Sequence, residues 1–104
     1  MATPEIRSHQ FGCWQVFQLK GEIDLAVVPA LEAGIAAAQD KALAIELAEV
    51  GFMDSSGLRA MLTARSRAAR LVLVSPSDPI KRLLDLAGVA DVFTSVDSLD
   101  ALPS

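Results

Sequence analysis

The hydrophobic positions of this chain change their spacing along the sequence, and each change predicts a new structural element. Within Ala42–Ala48, leucine and isoleucine alternate with smaller or polar residues, and few strong polar groups interrupt the run, which predicts a buried central strand. Further on, apolar residues recur every three or four positions, which predicts a helix over Ser56–Ala69. The sequence therefore predicts a junction between a strand and a helix at Phe52–Leu58.

The segments before this junction predict a hairpin and a first helix. A β-prone run at Cys13–Leu19 is expected to pair with Glu5–Gln10 through a turn near Gly12, and Gly21 is expected to close the strand. The next apolar residues lie on one helical face, which predicts a helix from near Val27 to Gln39–Asp40. That face comprises Val28, Leu31, Ile35 and Ala38.

The segments after the junction predict a short buried strand at Leu71–Val74, then a third helix. Asp78 is expected to cap this helix with Pro79 at its first position, and Gly88 to end it. Val92 and Phe93 are expected to form a last short strand. A small C-terminal turn follows Asp97-Ser98, and in it Leu99 and Leu102 are expected to pack against the sheet.

Strands that alternate with helices of this length predict right-handed crossovers and a mostly parallel central sheet, with the N-terminal hairpin as its antiparallel part. The expected fold class is α/β, with helices packed against the sheet. Residues 1–104 show no internal repeat or linker, so one domain is expected, with a polar lead at 1–8.

Composition and charge exclude several classes of function. A net charge of −4 disfavours a nucleic-acid partner. The single cysteine, Cys13, cannot form an internal disulfide, and no residue set has metal-ligand spacing, so no metal and no cofactor are expected. The chain lacks a signal-peptide pattern and a run of membrane-span length, which favours a cytoplasmic protein without membrane insertion.

The junction contains the only promising chemistry. Asp54, Ser55 and Ser56 have short side chains that can accept hydrogen bonds from the free amides of a first helical turn, where the helix dipole also favours a phosphate. On spacing alone, a helix cap explains this pattern more often than a regulated hydroxyl does. An α/β-hydrolase nucleophile does not fit, because G-x-S-x-G is absent and the sole histidine is His9, near the N-terminus. No catalytic residue and no enzyme activity are therefore expected.

Three separated motifs resemble one known family. They are F-M-D-S-S-G-L at Phe52–Leu58, G-E-I-D at Gly21–Asp24, and K-R-L-L-D-L-A-G at Lys81–Gly88. Together and in this order they resemble the anti-sigma factor antagonists, the founding members of the STAS domain family. The resemblance extends from about Gly12 to Asp97.

This resemblance implies a binding protein controlled by phosphorylation. Its expected partner is an anti-sigma factor of the serine kinase type, which the unphosphorylated chain binds and which phosphorylates the first serine of D-S-S-G, here Ser55. A dedicated protein phosphatase restores the hydroxyl. Asp24 corresponds to the acidic residue of the family's partner-binding face, and Asp54, Ser56, Gly57 and Arg59 are expected to lie on the same face.

The roles expected within that face differ between residues. Ser56 is expected to cap the helix, and Gly57 to keep the approach to the hydroxyl clear. Arg59 stands where many relatives have a small residue, so partner choice is expected to differ. The alternative function is a STAS accessory subunit of another complex, such as a lipid-trafficking ABC transporter. The residues do not indicate an oligomeric state.

Overall fold

The computed structural model describes residues 4–103, which form a five-stranded sheet with strand order β1-β2-β3-β4-β5. The strands are β1 (Glu5–Phe11), β2 (Trp14–Ile23), β3 (Ala42–Met53), β4 (Arg70–Val74) and β5 (Thr94–Val96). The helices are α1 (Val28–Ala37), α2 (Ser55–Arg67) and α3 (Asp78–Leu86), and short 3-10 turns lie at Ala90–Val92 and Leu99–Ala101.

The strand directions confirm the predicted α/β class. β1 and β2 are antiparallel, joined by a tight turn at Gly12 with φ +59°, and Phe11 pairs with Trp14. The other three strand pairs are parallel. Of the polar lead expected at 1–8, residues 1–3 lie outside the described residues, whereas Glu5–Ser8 belongs to β1.

The main core lies between one face of the sheet and the three helices. Alternate residues of β2, β3 and β4 point to this face, and each helix contributes its apolar side. Among the largest side chains that are fully buried there are Leu19, Leu31, Ile45, Leu47, Met61, Leu73 and Ile80. The helices therefore cover one face of the sheet.

A smaller apolar cluster covers the opposite face of the sheet. Trp14 is buried there, its ring lies 4.4 Å from the Arg70 guanidinium carbon, and its indole Nε1 donates a hydrogen bond of 2.9 Å to the Pro103 carbonyl oxygen. Leu99 and Leu102 pack on this cluster, as the sequence predicts. The C-terminal segment thus shields apolar residues that the helices do not reach.

Two strands are longer than the sequence predicts. Gly21 does not close β2; it adopts φ +82° at an irregularity in the β2–β3 pairing, and β2 continues to Ile23. β3 extends to Met53 rather than Ala48, because the β2 extension supplies it with a hydrogen-bonding neighbour. Both strands consequently end at the same level, next to the predicted junction.

Helix boundaries also differ from the predicted ones. α1 ends at Ala37 and is followed by a turn in which Asp40 has a left-handed φ of +67°. α2 ends at Arg67, because the Ala69 amide donates instead to the Lys41 carbonyl oxygen. Ser77, not Asp78, is the N-cap residue of α3.

The end of the chain holds one confirmation and one correction. Gly88 has φ +72° and follows Ala87, the C-cap residue of α3, which confirms that glycine ends this helix. The last strand is Thr94–Val96 rather than Val92-Phe93. Val92 lies in a 3-10 turn, and its carbonyl oxygen accepts a hydrogen bond of 2.7 Å from Arg65 Nε. Phe93 is buried in the main core.

Leu47→Ala is expected to lower the free energy of unfolding by about 2–5 kcal/mol, because it opens a cavity in the fully buried core between β3 and the helices. Leu86→Ala is the matched control, since Leu86 is exposed and its loss should cost less than about 0.5 kcal/mol. Urea unfolding followed by circular dichroism measures both. Similar losses in the two variants would contradict this description of the core.

Candidate functional site

The predicted junction lies at the carboxyl edge of the parallel strands, beside the end of β2. Ile23 and Met53 are paired, and the Asp54 amide donates a hydrogen bond of 3.1 Å to the Ile23 carbonyl oxygen. Asp24 and Asp54 directly follow these two residues. The pairing of β2 with β3 therefore brings both acidic residues, which are 30 positions apart in the sequence, to one edge of the sheet.

Asp54, and not Ser56 as the sequence predicts, is the N-cap residue of α2. It has extended backbone angles, and its carboxylate accepts hydrogen bonds from the Ser56 amide at 2.9 Å and the Gly57 amide at 3.1 Å. The Ser56 hydroxyl donates to the same carboxylate oxygen. This hydroxyl and the two helix amides hold the pKa of the Asp54 carboxyl below its usual range. Asp54 is therefore an anion that starts the helix.

Ser55 is the first residue of α2, and its side chain is exposed. Its neighbour Ser56 is half-buried and directs its hydroxyl inward to Asp54. Within residues 4–103 the Ser55 hydroxyl has no comparable hydrogen bond. Of the two adjacent serines, Ser55 is therefore the one that an approaching macromolecule can reach.

Asp24 organises the loop between β2 and α1. Its carboxylate accepts a hydrogen bond of 3.0 Å from the Ala26 amide, and its carbonyl oxygen accepts from the amides of Val27 and Val28. Asp24 thus has the turn-forming role that its residue type alone suggests. The same loop presents Leu25 to solvent, and the Leu25 amide contributes to the lowered pKa of Asp54.

Gly57 has a different role from the one expected. It is buried, and a β-carbon added there would lie 2.6 Å from Met53 Cγ, 3.2 Å from Ile23 Cγ2 and 3.3 Å from the Ile23 carbonyl oxygen. The absent side chain points into the core rather than toward the hydroxyl. The expectation that Gly57 clears the approach to Ser55 is therefore wrong, and its geometry instead lets α2 pack closely on the ends of β2 and β3.

Exposed apolar residues accompany this edge, and the sequence reasoning missed them. Leu25 is 71% exposed, Phe52 50% and Leu86 81%. Between the end of β3 and α3 lies a groove of about 200 Å³ lined by Gly51, Phe52, Met53, Pro79, Arg82, Leu83 and Leu86. The sequence does contain one indication of these residues, since Phe52 is a large apolar residue next to the predicted junction. The spacing of hydrophobic residues did not show that Phe52 faces outward.

The hydrolase alternative has no support from the geometry. His9 lies on the edge strand β1 and pairs with Val16, which in turn pairs with Ala44. From Ala44 to the end of β3 the chain rises about 3.3 Å per residue, so the imidazole lies roughly 30 Å from Ser55 along the strand direction. The sole histidine therefore cannot serve Ser55 as a base.

Two features are absent from residues 4–103. No group of three or more histidine, cysteine, aspartate or glutamate side chains is arranged to hold a metal ion. No helix in this part of the chain has the length and apolar character needed to cross a bilayer.

Comparison with known proteins assigns the family. The STAS domain family matches residues 4–102, so this chain belongs to it. A curated relative, the anti-sigma-B factor antagonist of Listeria monocytogenes, is 37% identical over 79 aligned positions, with 69% of each chain covered. The sequence-based resemblance to this family is confirmed.

Solved structures confirm the fold. An anti-sigma factor antagonist from Mycobacterium paratuberculosis superposes with a TM-score of 0.85 at 26% identity, covering 94% of this chain and 89% of that one. The phosphorylated form of the Bacillus cell fate determinant SpoIIAA gives 0.69 at 19% identity, with 93% and 96% covered. A sulfate transporter family protein from Wolinella succinogenes gives 0.72 at 15%, with 86% and 80% covered. The last two likenesses show the fold alone.

Gly57→Ala is expected to destabilise the protein by about 1–3 kcal/mol, although alanine is the better helix former, because the added carbon overlaps Met53 and Ile23. Gly51→Ala is the matched control, since a β-carbon there meets nothing within 4 Å. Thermal and urea unfolding measure both variants. A Gly57→Ala protein as stable as the Gly51→Ala control would show that α2 does not pack as described.

Proposed function

We propose that this protein is an anti-sigma factor antagonist whose partner binding is controlled by phosphorylation of Ser55. The observation that supports this most directly is the exposed Ser55 hydroxyl at the start of α2, next to a neighbouring serine whose hydroxyl is engaged by Asp54. The proposal also draws on the name of the Listeria relative, an anti-sigma-B factor antagonist. A Bacillus protein of the same fold exists in a phosphorylated form.

The proposed modification is transfer of a phosphoryl group from ATP by an anti-sigma factor that is a serine kinase. The Ser55 oxygen forms a bond to the terminal phosphorus, the bond between that phosphorus and the bridging oxygen breaks, and ADP leaves. The hydroxyl proton passes to a base of the kinase or to solvent. A protein phosphatase reverses the change by hydrolysis, which returns the hydroxyl and releases inorganic phosphate.

The modification changes the charge of a surface that already contains Asp24 and Asp54. A phosphate adds roughly 1.5 to 2 negative charges at neutral pH. If the partner places one carboxylate about 5 Å away, the repulsion is roughly 3 kcal/mol at an effective dielectric constant near 20. Such a penalty lowers affinity by more than about a hundredfold, so phosphorylation is sufficient to release the partner.

The apolar residues at the same edge provide the affinity that the charge then opposes. Leu25 and Phe52 flank the two acidic loops, and Leu86 borders the groove beside α3. Full burial of one such side chain contributes about 1.5–3 kcal/mol. In this proposal the partner covers these side chains together with Ser55, Ser56 and Arg59, while Gly57 supports the surface from beneath.

The alternative, an accessory subunit of a transporter complex, rests on fold likeness. A sulfate transporter family protein has the same fold at 15% identity. Copurification with a transporter ATPase, combined with no binding to an anti-sigma factor, would favour this alternative. The antagonist proposal has the stronger support because the Listeria relative matches over 69% of the chain at 37% identity.

Incubation with the cognate kinase and ATP is expected to add one phosphate, located on Ser55 by mass spectrometry of peptides. Ser55→Ala should abolish the modification. Ser56→Ala is the neighbouring control: it removes the hydroxyl that donates to Asp54 and should leave Ser55 modified. Phosphate found on Ser56 or elsewhere in the wild-type protein would contradict the assignment.

A further inference from the structure

The helix that begins at Ser55 also contains a cation one turn further on. Arg59 is the fourth residue after Ser55 in α2, and both side chains are exposed. Residues at this spacing lie on the same face of a helix, with their β-carbons about 5–6 Å apart. We infer that Arg59 forms an ion pair with the phosphate of Ser55, an inference that rests on the proposed phosphorylation.

The direction of the Arg59 side chain favours this pairing. In an α-helix the bond from Cα to Cβ tilts toward the N-terminus, so the side chain of Arg59 leans over the turn that begins at Ser55. An anion four residues before a cation is also the better of the two possible orders for such a pair. The phosphate at the first helical position is in addition favoured by the helix dipole. The guanidinium can donate two parallel hydrogen bonds to phosphate oxygens.

Arg59 forms no ion pair within residues 4–103. The ion pairs of these residues join Glu5 with Arg7 and Lys20, and Lys20 with Glu49, all on strands β1 to β3. Asp54 is engaged by Ser56 and Gly57, and Asp24 by the Ala26 amide. Of the three arginines of α2, Arg59 is the one that lies a single turn after Ser55, whereas Arg65 and Arg67 lie in the last turn.

With this ion pair, phosphorylation of Ser55 changes two side chains of the surface at once, Ser55 and Arg59. Without phosphate, Arg59 is a free cation beside a neutral hydroxyl and is available to a carboxylate of the partner. With phosphate, the guanidinium is drawn to Ser55. The partner then meets a new anion and also loses the cation that it could pair with.

The test is a ³¹P NMR titration of the full chain with phosphoserine placed at position 55 during synthesis, which requires no kinase. A neighbouring cation favours the dianionic phosphate and so lowers the pH of its titration midpoint. Arg59→Gln is expected to raise that midpoint by about 0.2–0.4 pH unit at low ionic strength, the range that corresponds to a helical ion pair. Arg59→Lys should retain part of the effect.

Arg67→Gln is the matched control, because Arg67 is an exposed arginine at the other end of the same helix, about 18 Å away by helical rise. It should leave the midpoint unchanged. Equal midpoints in Arg59→Gln and the wild type, or an equal rise in Arg67→Gln, would overturn the inference. The proposed function fails by a different result: a kinase that leaves Ser55 unmodified, or a partner whose binding ignores the phosphate.

Discussion

The pairing of Ile23 with Met53 at the ends of β2 and β3 is the contact on which the proposed partner-binding surface depends. This pairing places the two acidic loops side by side. The start of α2 packs closely against the same two residues, Ile23 and Met53, because Gly57 has no side chain. A register shift by one residue would turn every following side chain of a strand to the other face. The irregularity at Gly21 lets β2 reach the end of β3 in the observed register.

Three of the four residues Asp54–Gly57 make structural contacts, and the fourth has a side chain that is exposed to solvent. Asp54 accepts hydrogen bonds from two free amides of the first helical turn, the Ser56 hydroxyl donates to Asp54, and Gly57 is buried against the sheet. Only Ser55 remains exposed with its hydroxyl uncommitted. A helix cap and a regulated hydroxyl compete as explanations of the sequence motif. The cap at Asp54 and the proposed regulated hydroxyl at Ser55 involve different residues of it, so the two explanations do not exclude each other.

Much of this arrangement could be predicted from the sequence, since its signals are local. Alternation and helical spacing identified β3 and α2. Cap chemistry indicated Asp54, Ser55 and Ser56 together, but the residue expected to cap the helix was Ser56 rather than Asp54. The extension of β3 to Met53 could not be predicted, because it depends on pairing with the end of β2. The packing of Gly57 and the outward direction of Phe52 depend on tertiary contacts in the same way. The contributions of Asp24, Ser55 and Arg59 to partner binding stay predictions.

The most direct test of the central claim is the affinity of an anti-sigma factor for two forms of this chain that differ only by the phosphate on Ser55. Isothermal titration calorimetry on both forms gives the two dissociation constants. The account predicts that the phosphorylated form binds at least about a hundredfold more weakly, the effect of one close like-charge contact. Equal dissociation constants would contradict it.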